Sequence, residues 1–391
     1  MYDDYISGKI VVALNNNCFY PESPDYYSTQ ILHGIEYEKT EVIFHPDKLN
    51  CNSGIGYIIL VYLKNKEKSE VMTAIDKITA NPYVVYAEPD YYLNAHIIPN
   101  DMYYDKLWGI KRVRSELAWN YTTGSENVVV GVTDSGIDYN HPDINKNMWV
   151  SQNNINGWNF AADNSDSMDT NGHGTHVAGT IGAIGNNYIG VAGVNWNVEV
   201  ASLKLGNGAF SLDAAIASID FANINKIPIL NNSWGGRSYS PSLKYAIQRY
   251  EGLFVVSAGN NGTNNDFFPM YPASYDSDNI ISVAATTPTD VLASFSNYGI
   301  KSVDIAAPGT DIFSLSLHNQ YSYLSGTSMA SPHVAGAAAL LKSYIPSLTT
   351  SEVKNIILSS AEKLPSLENR ILTGGILNID SMFKMASELY K

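Results

Sequence analysis

Val128-Val-Val-Gly131-Val-Thr-Asp134-Ser-Gly136 is the stretch on which the fold turns. An apolar run with no polar alternation is what a strand buried on both faces looks like, and it ends in a carboxylate followed by a glycine turn. Residues 198 to 203, 227 to 231, 253 to 257 and 280 to 284 repeat the same texture, with helical stretches between them. The α/β class follows: a parallel sheet covered by helices on both faces. In such open sheets working groups gather at the carboxyl ends of the strands.

Before residue 100 the texture is different. Residues 8 to 14 and 55 to 63 are apolar β runs, residues 69 to 79 carry helical spacing at Val71, Ile75 and Ile78, and residues 83 to 87 offer another strand. These predict a small α+β domain, an antiparallel sheet with helices on one face. A polar, tyrosine-rich stretch from 90 to 105, around Pro99-Asn100-Asp101, reads as a linker and divides the chain into 1–96 and 97–391. The alanine-rich residues 333 to 341 read as a buried helix, and no internal repeat is visible.

Composition narrows the function. Of 391 residues 45% are hydrophobic and 16% charged, and Lys+Arg 24 against Asp+Glu 38 gives a net charge of −14. That acidity argues against a nucleic-acid or anionic-membrane partner, because phosphate binding needs a basic face. No run of about 18 apolar residues predicts a membrane span. Met1-Tyr-Asp-Asp-Tyr-Ile lacks the basic and apolar regions of a secretory leader, which leaves localisation open. The two cysteines, Cys18 and Cys51, make no disulfide framework, and one bridge or two free thiols both remain open.

Four constellations carry chemistry. Asp134 closes its strand where a carboxylate can be shielded from water yet face a cleft, although a helix cap or ribose ligand looks the same; a dinucleotide turn would need G-x-G-x-x-G. Asn171-Gly-His173-Gly-Thr-His176-Val-Ala-Gly179 sets two histidines at a helix start, suited to acid/base work, to two hydrogen-bonded structural histidines or, with a third ligand that is not apparent, to a metal. Gly326-Thr-Ser328-Met-Ala-Ser-Pro332-His-Val-Ala-Gly336 puts a serine ahead of an apolar helix, as nucleophile or as N-cap, with Pro332 expected in the first helical turn. Val255-Val-Ser-Ala-Gly259-Asn260 ends another buried strand in an amide that can donate to an oxyanion or simply make a loop turn. Together, acid, imidazole, hydroxyl and amide supply every part of a Ser-His-Asp acyl-transfer machine.

The order Asp134, His173, Ser328 matches the subtilisin order and neither the chymotrypsin nor the α/β-hydrolase order. With Asp-Ser-Gly-Ile-Asp (134 to 138), Gly-His-Gly-Thr-His-Val-Ala-Gly-Thr (172 to 180), Asn-Ser-Trp-Gly (232 to 235), Ala-Gly-Asn (258 to 260) and Gly-Thr-Ser-Met-Ala-Ser-Pro-His-Val-Ala-Gly (326 to 336), the chain resembles a subtilisin-type serine protease preceded by an inhibitory propeptide domain. The resemblance implies a serine endopeptidase made as a self-processing zymogen. It implies Asp134 as orienter, His173 rather than His176 as base, Ser328 as nucleophile, and Asn260 with the Ser328 backbone N–H as oxyanion hole. Leu205, Gly206 and Gly208, and Ser233, Trp234 and Gly235, would be the edges that pair with substrate, and Met270 would stand at the floor of the primary pocket next to a cis Tyr271-Pro272 bond.

It further implies structural calcium at Asp143, the Asn187 amide and the carbonyls of Ile189 and Val191. A second site at Asp163, Asp166 and Asp169 competes with the plainer reading of an acidic solvated loop. The first hundred residues resemble the family's propeptide, with residues 15 to 51 as an insertion and self-cleavage expected between 93 and 100, near His96-Ile97. Gly374-Gly-Ile-Leu-Asn378 resembles the end of the catalytic domain. A catalytically silent relative acting as scaffold is the alternative class.

Overall fold

The computed structural model describes residues 5–15, 30–44, 55–91, 97–151 and 153–390; Cys18, Cys51 and the first half of the expected cleavage window, 93–96, lie outside them. The chain divides into two compact units, Met1–Ala95 and His96–Lys391.

In the first unit β1 (Tyr5–Asn15), β2 (Tyr37–Phe44), β3 (Ile55–Leu63) and β4 (Val84–Tyr91) form an antiparallel sheet in the order β2-β3-β1-β4. Helix α1 (Lys68–Thr79) lays Val71, Ala74, Ile75 and Ile78 on Ile10, Val12, Leu14, Ile59 and Val61, so a 3.6-residue stripe meets a 2-residue one in a single core. Strand β2 falls inside the stretch expected to be an insertion. It is an edge strand alternating through Glu38, Lys39 and Glu41, with an ion pair between Lys39 and Glu41, and such charges suit an edge while hiding it from an apolar search.

The second unit holds a nine-stranded sheet among the described residues. Its strands are β5 (Gly124–Asp134), β6 (Gly157–Asn159), β7 (Asn197–Lys204), β8 (Ile229–Asn232), β9 (Leu253–Ser257), β10 (Ile280–Thr286) and β11 (Ile305–Pro308), with β14 (Glu362–Lys363) and β15 (Gly375–Ile376) at one edge. The order is β14-β15-β11-β10-β9-β8-β5-β7-β6, parallel except for the β14–β15 pair; β12 (Ile312–Ser316) and β13 (Gln320–Leu324) form a separate hairpin.

Alternation within the strands assigns the two faces. Val130, Val132, Val255, Ile281 and Val283 pack under α2 (His173–Gly182) and α5 (Thr327–Tyr344), whereas Leu203, Leu230, Phe254 and Val256 pack under α3 (Leu212–Ile224) and α4 (Pro241–Arg249). Each such buried side chain contributes about 1.5–3 kcal/mol, and the sheet is covered on both sides as its unalternated runs require. In register, Asp134 stands opposite Lys204 and Thr133 opposite Asn232, so β5, β7 and β8 end together. No helix among the described residues is long and apolar enough to cross a membrane.

Candidate active site

Asp134 is the last residue of β5 and fully buried. Its Oδ1 accepts from the Ser135 N–H at 2.7 Å, and His173 Nδ1 lies 2.8 Å from Oδ1 and 2.9 Å from Oδ2. An ionised carboxylate only accepts, so Nδ1 carries the proton and Nε2 presents a lone pair. Burial opposes a positive charge on His173, but the charge and hydrogen bond of Asp134 outweigh it and raise the imidazole above its ordinary value. The short contact depends on Gly174: a Cβ there would stand 2.1 Å from Gly136 O and 3.1 Å from Asp134 Cβ.

Ser328 is the second residue of α5, buried, with its backbone N–H in the unpaired first turn. Its Oγ donates to Ser233 O at 3.2 Å, and no hydrogen bond joins it to His173 among the described residues. Pro332 is not in the first turn, as expected from the sequence, but the sixth residue of the helix. A proline there withholds the N–H that Ser328 O would otherwise accept. Ser233 supplies the missing donor, its Oγ reaching Ser328 O at 2.9 Å while also meeting Ser331 Oγ at 2.9 Å and accepting from Asn231 Nδ2 at 3.0 Å. The helix is thereby pinned to the end of β8.

Asn260 follows β9. Its Oδ1 accepts from both Thr327 N and Thr327 Oγ1 at 2.8 Å, which leaves Nδ2 as the free donor of the amide. A Cβ on Gly326 would lie 3.4 Å from Asn260 Nδ2 and 3.6 Å from Ser328 N, so the space above Gly326 is within reach of both donors. Two donors thus face one space, an arrangement able to receive a developing negative charge.

A cleft of about 650 Å3 opens beside Asp134 and His173, lined by Gly208, Phe210, Ser233, Trp234, Gly235 and Tyr271 among others. Leu205 is buried with its N–H on Asp134 O, and Gly206 pairs with Phe210. On the other side Gly236 pairs with Tyr271, and Trp234 Nε1 donates to Thr133 Oγ1 at 3.0 Å, fixing the indole to β5. Met270 is not among the cleft's lining residues; its Cγ would lie 3.4 Å from a Cβ on Gly235 and 3.2 Å from one on Gly259, so it fills the gap between those two edges. The Tyr271-Pro272 bond is cis.

Asp143 is buried in a polar pocket, accepting from Asn187 Nδ2 at 2.7 Å, Val191 N at 2.8 Å and Tyr321 OH at 3.2 Å. The Asn187 Oδ1 accepts from Ile189 N at 2.8 Å. Sequence reasoning missed Asp101, whose Oδ2 accepts from Asn186 N at 2.7 Å and whose buried Oδ1 has no partner. Burial and the neighbouring Asp101 charge push Asp143 up to about 6. Two buried carboxylates, one with an orphaned oxygen, thus lie beside an amide side chain, oxygen donors of the kind calcium takes, while no cluster of three or more acids or histidines gathers here or elsewhere among the described residues. The signal for Asp101 lay in the stretch read as linker.

The loop 163–169 exposes Asp163 and Asp166, as a solvated acidic loop does, and departs from that reading at Asp169. Its aspartates form no metal-binding group among the described residues, and Asp169 is buried with both oxygens engaged by the backbone and Thr175 at the start of α2. Of the two histidines, His176 is buried with Nε2 on Ile312 O at 3.0 Å and Ser322 O at 3.2 Å, and burial pushes it down to about 4. It is a neutral packing residue, distinct from His173.

The subtilase family model matches residues 125–375. This chain belongs to the subtilase family. It is 39% identical over 300 residues to a thermophilic serine proteinase of Bacillus sp. (strain AK1), covering 75% of this chain and 71% of that one. It is 37% identical over 280 residues to subtilisin DY of Bacillus licheniformis, covering 70% of this chain and 97% of that one. A solved protease of Pseudoalteromonas arctica PAMC 21717 superposes with a TM-score of 0.65 at 29% identity, covering 74% of this chain and 99% of the other. As a subtilase the chain is a serine-type endopeptidase, a hydrolase of peptide bonds.

Proposed function

We propose that this subtilase works through Asp134, His173 and Ser328 with Asn260 as oxyanion donor, and that it is made as a zymogen which processes itself. The observation that carries the reading is the His173 Nδ1 contact with both Asp134 oxygens, which commits the free Nε2 to act as base. Ser328 Oγ turns from Ser233 O to His173 and attacks the substrate carbonyl as Nε2 takes its proton. The oxyanion forms between Asn260 Nδ2 and the Ser328 N–H, a stabilisation worth roughly 3 to 4 kcal/mol in such sites. Protonated His173 returns the proton to the leaving amine, and water, deprotonated by the same nitrogen, releases the acyl group.

Substrate binds as an added strand between the 205–208 and 233–235 segments, and Met270 restricts the primary pocket to medium-sized apolar side chains. Asp101, Asp143, the Asn187 amide and the Ile189 and Val191 carbonyls would hold calcium, whose charge would offset the two buried acids and stiffen the loop. The unit before residue 96 acts as intramolecular inhibitor, and the chain is cut between 93 and 100, where proximity gives the intramolecular reaction a large advantage. Exposure of Ile97 and Ile98 just beyond the unit boundary supports this.

The test is a time course of the purified chain on a gel with intact-mass analysis, wild type beside Ser328→Ala and His173→Ala. Two fragments and casein digestion from the wild type alone are expected, with the double variant no worse than either single one because the groups act as a unit. Self-processing in Ser328→Ala, or additive losses, defeats the triad.

A further inference from the structure

Asp169 stands outside the triad but holds its parts together. It is buried, four residues before His173, and its Oδ1 accepts from Asn171 N at 2.8 Å and Gly172 N at 3.0 Å. Its Oδ2 accepts from Thr175 N at 3.0 Å and Thr175 Oγ1 at 2.7 Å. The N-cap of α2 is Gly172, which has no side chain to cap with, so Asp169 satisfies a free N–H of the first turn in its place. The same segment grips the loop that follows Asp134: Asp169 N donates to Ile137 O, Ile137 N donates to Ser167 O, and Thr175 Oγ1 accepts from Asp138 N at 2.9 Å. The carboxylate therefore orders the start of the His173 helix, while the backbone of the same segment and Thr175 Oγ1 tie it to the turn leaving the Asp134 strand.

We propose that Asp169 is a positioning residue for the reaction, fixing His173 against Asp134 and placing a second buried negative charge beside the imidazolium that forms during turnover. The inference rests on the triad reading. A structural cap needs only an acceptor, whereas stabilising an imidazolium needs a charge, and the two roles separate in the pH profile. The charged and titratable groups around His173 are Asp134 at the end of β5, Asp169 in the preceding loop, His176 on its own helix, and Lys204, whose Nζ lies on Met168 O. Asp134 and Asp169 both favour protonated His173, and neutral His176 adds no charge.

The experiment is the pH dependence of kcat and KM of the full chain on a chromogenic peptide amide, for wild type, Asp169→Asn and Thr175→Val, with Ser328→Ala as control. Asp169→Asn loses the charge and keeps only one of the two accepting oxygens, so the acid limb of kcat/KM is expected to move to lower pH through the lost charge, with kcat on the alkaline plateau reduced roughly tenfold and KM unchanged. Thr175→Val keeps the charge and loses the hydroxyl link, so kcat falls while the acid limb stays. An unmoved acid limb in Asp169→Asn, or wild-type kcat in Thr175→Val, overturns the proposal. Since Thr175→Val alone tests positioning, failure of Asp169→Asn to fold does not shelter it. Turnover surviving in Ser328→Ala overturns the triad reading and this inference with it.

Discussion

His173 Nδ1 sits 2.8 Å and 2.9 Å from the two oxygens of Asp134, a carboxylate with no exposure of its own. The pairing fixes the tautomer and favours the imidazolium, so Asp134→Asn is expected to lower kcat by roughly 10⁴-fold while the fold persists. The sign of the pH effect follows. Removing the carboxylate removes what raises His173, the base is free at lower pH, and the acid limb of kcat/KM moves down. Stopped assays across pH 5 to 9 read both; a loss of activity with an unmoved acid limb would show that Asp134 does not act on His173.

Ser233 and Pro332 form a second linked pair. Because Pro332 has no N–H, Ser233→Ala leaves Ser328 O without its donor, at a cost of about 1–3 kcal/mol. Chemical denaturation of a Ser328→Ala background should show that loss, and kcat in the active enzyme should fall as the nucleophile's helix loosens. Pro332→Ala in the same background restores a backbone donor and is expected to recover part of the stability.

What the sequence made legible follows from where each residue's physics is local. Unalternated runs such as 253–257 can only be doubly buried strands, and His173 and Ser328 sit at helix starts announced by glycine and small residues. Strand β2 escaped because an edge position tolerates Glu38, Lys39 and Glu41. Pro332 was placed in the first turn because nothing in the chain announces that Ser233, 99 residues earlier, replaces its hydrogen bond. The same holds for Asp101, which stands in the stretch read as linker. Its partner Asn186 is brought by the fold and carries no mark in the sequence around the acid, whereas the partners of Asp169 lie within six residues and only their joint grip on the Asp134 turn is made by the fold.

His176 and His333 are both buried, and burial pushes each down to about 4. The unfolded chain protonates these imidazoles near the ordinary value of about 6.5, the folded one only near 4. Between those values the unfolded state binds more protons, so stability is full above about pH 6.5 and declines as pH falls toward 4, by about 3 kcal/mol for each histidine. Melting of Ser328→Ala between pH 7 and 4.5 should fall accordingly. His333→Gln should flatten the decline, and an unchanged slope in that variant would mean His333 is protonated in the folded state.

Chelation is expected to lower the melting temperature of the Ser328→Ala chain, and added calcium to restore it, since saturation at 100 times Kd stabilises by about 2.7 kcal/mol. Asp143→Asn and Asp101→Asn should each lose that response. A melting temperature indifferent to chelator in the parent chain removes calcium from Asp143, Asn187, Ile189 and Val191, and with it the account of the orphaned Asp101 oxygen.

Met270 is the residue proposed to set specificity. It fills the gap between the Gly235 and Gly259 edges, within ordinary contact of a Cβ at the first and tighter at the second, so a large P1 side chain has to displace it. A thioether chain can swing aside, but doing so costs packing, and medium-sized apolar P1 residues avoid that cost. Basic P1 residues gain no partner. Asp266, the nearest acid in sequence, already accepts from Lys301 N, Ser302 N and Ser302 Oγ. Wild type is therefore expected to turn over Ala- and Leu-P1 peptide amides faster than Arg- or Phe-P1 ones, and Met270→Gly to raise kcat/KM for Phe selectively, with Asp134 and His173 untouched and the Ala rate nearly constant. Parallel gains for Ala and Phe would place Met270 outside the pocket, and faster cleavage after Arg in the wild type would show that a carboxylate reaches it after all.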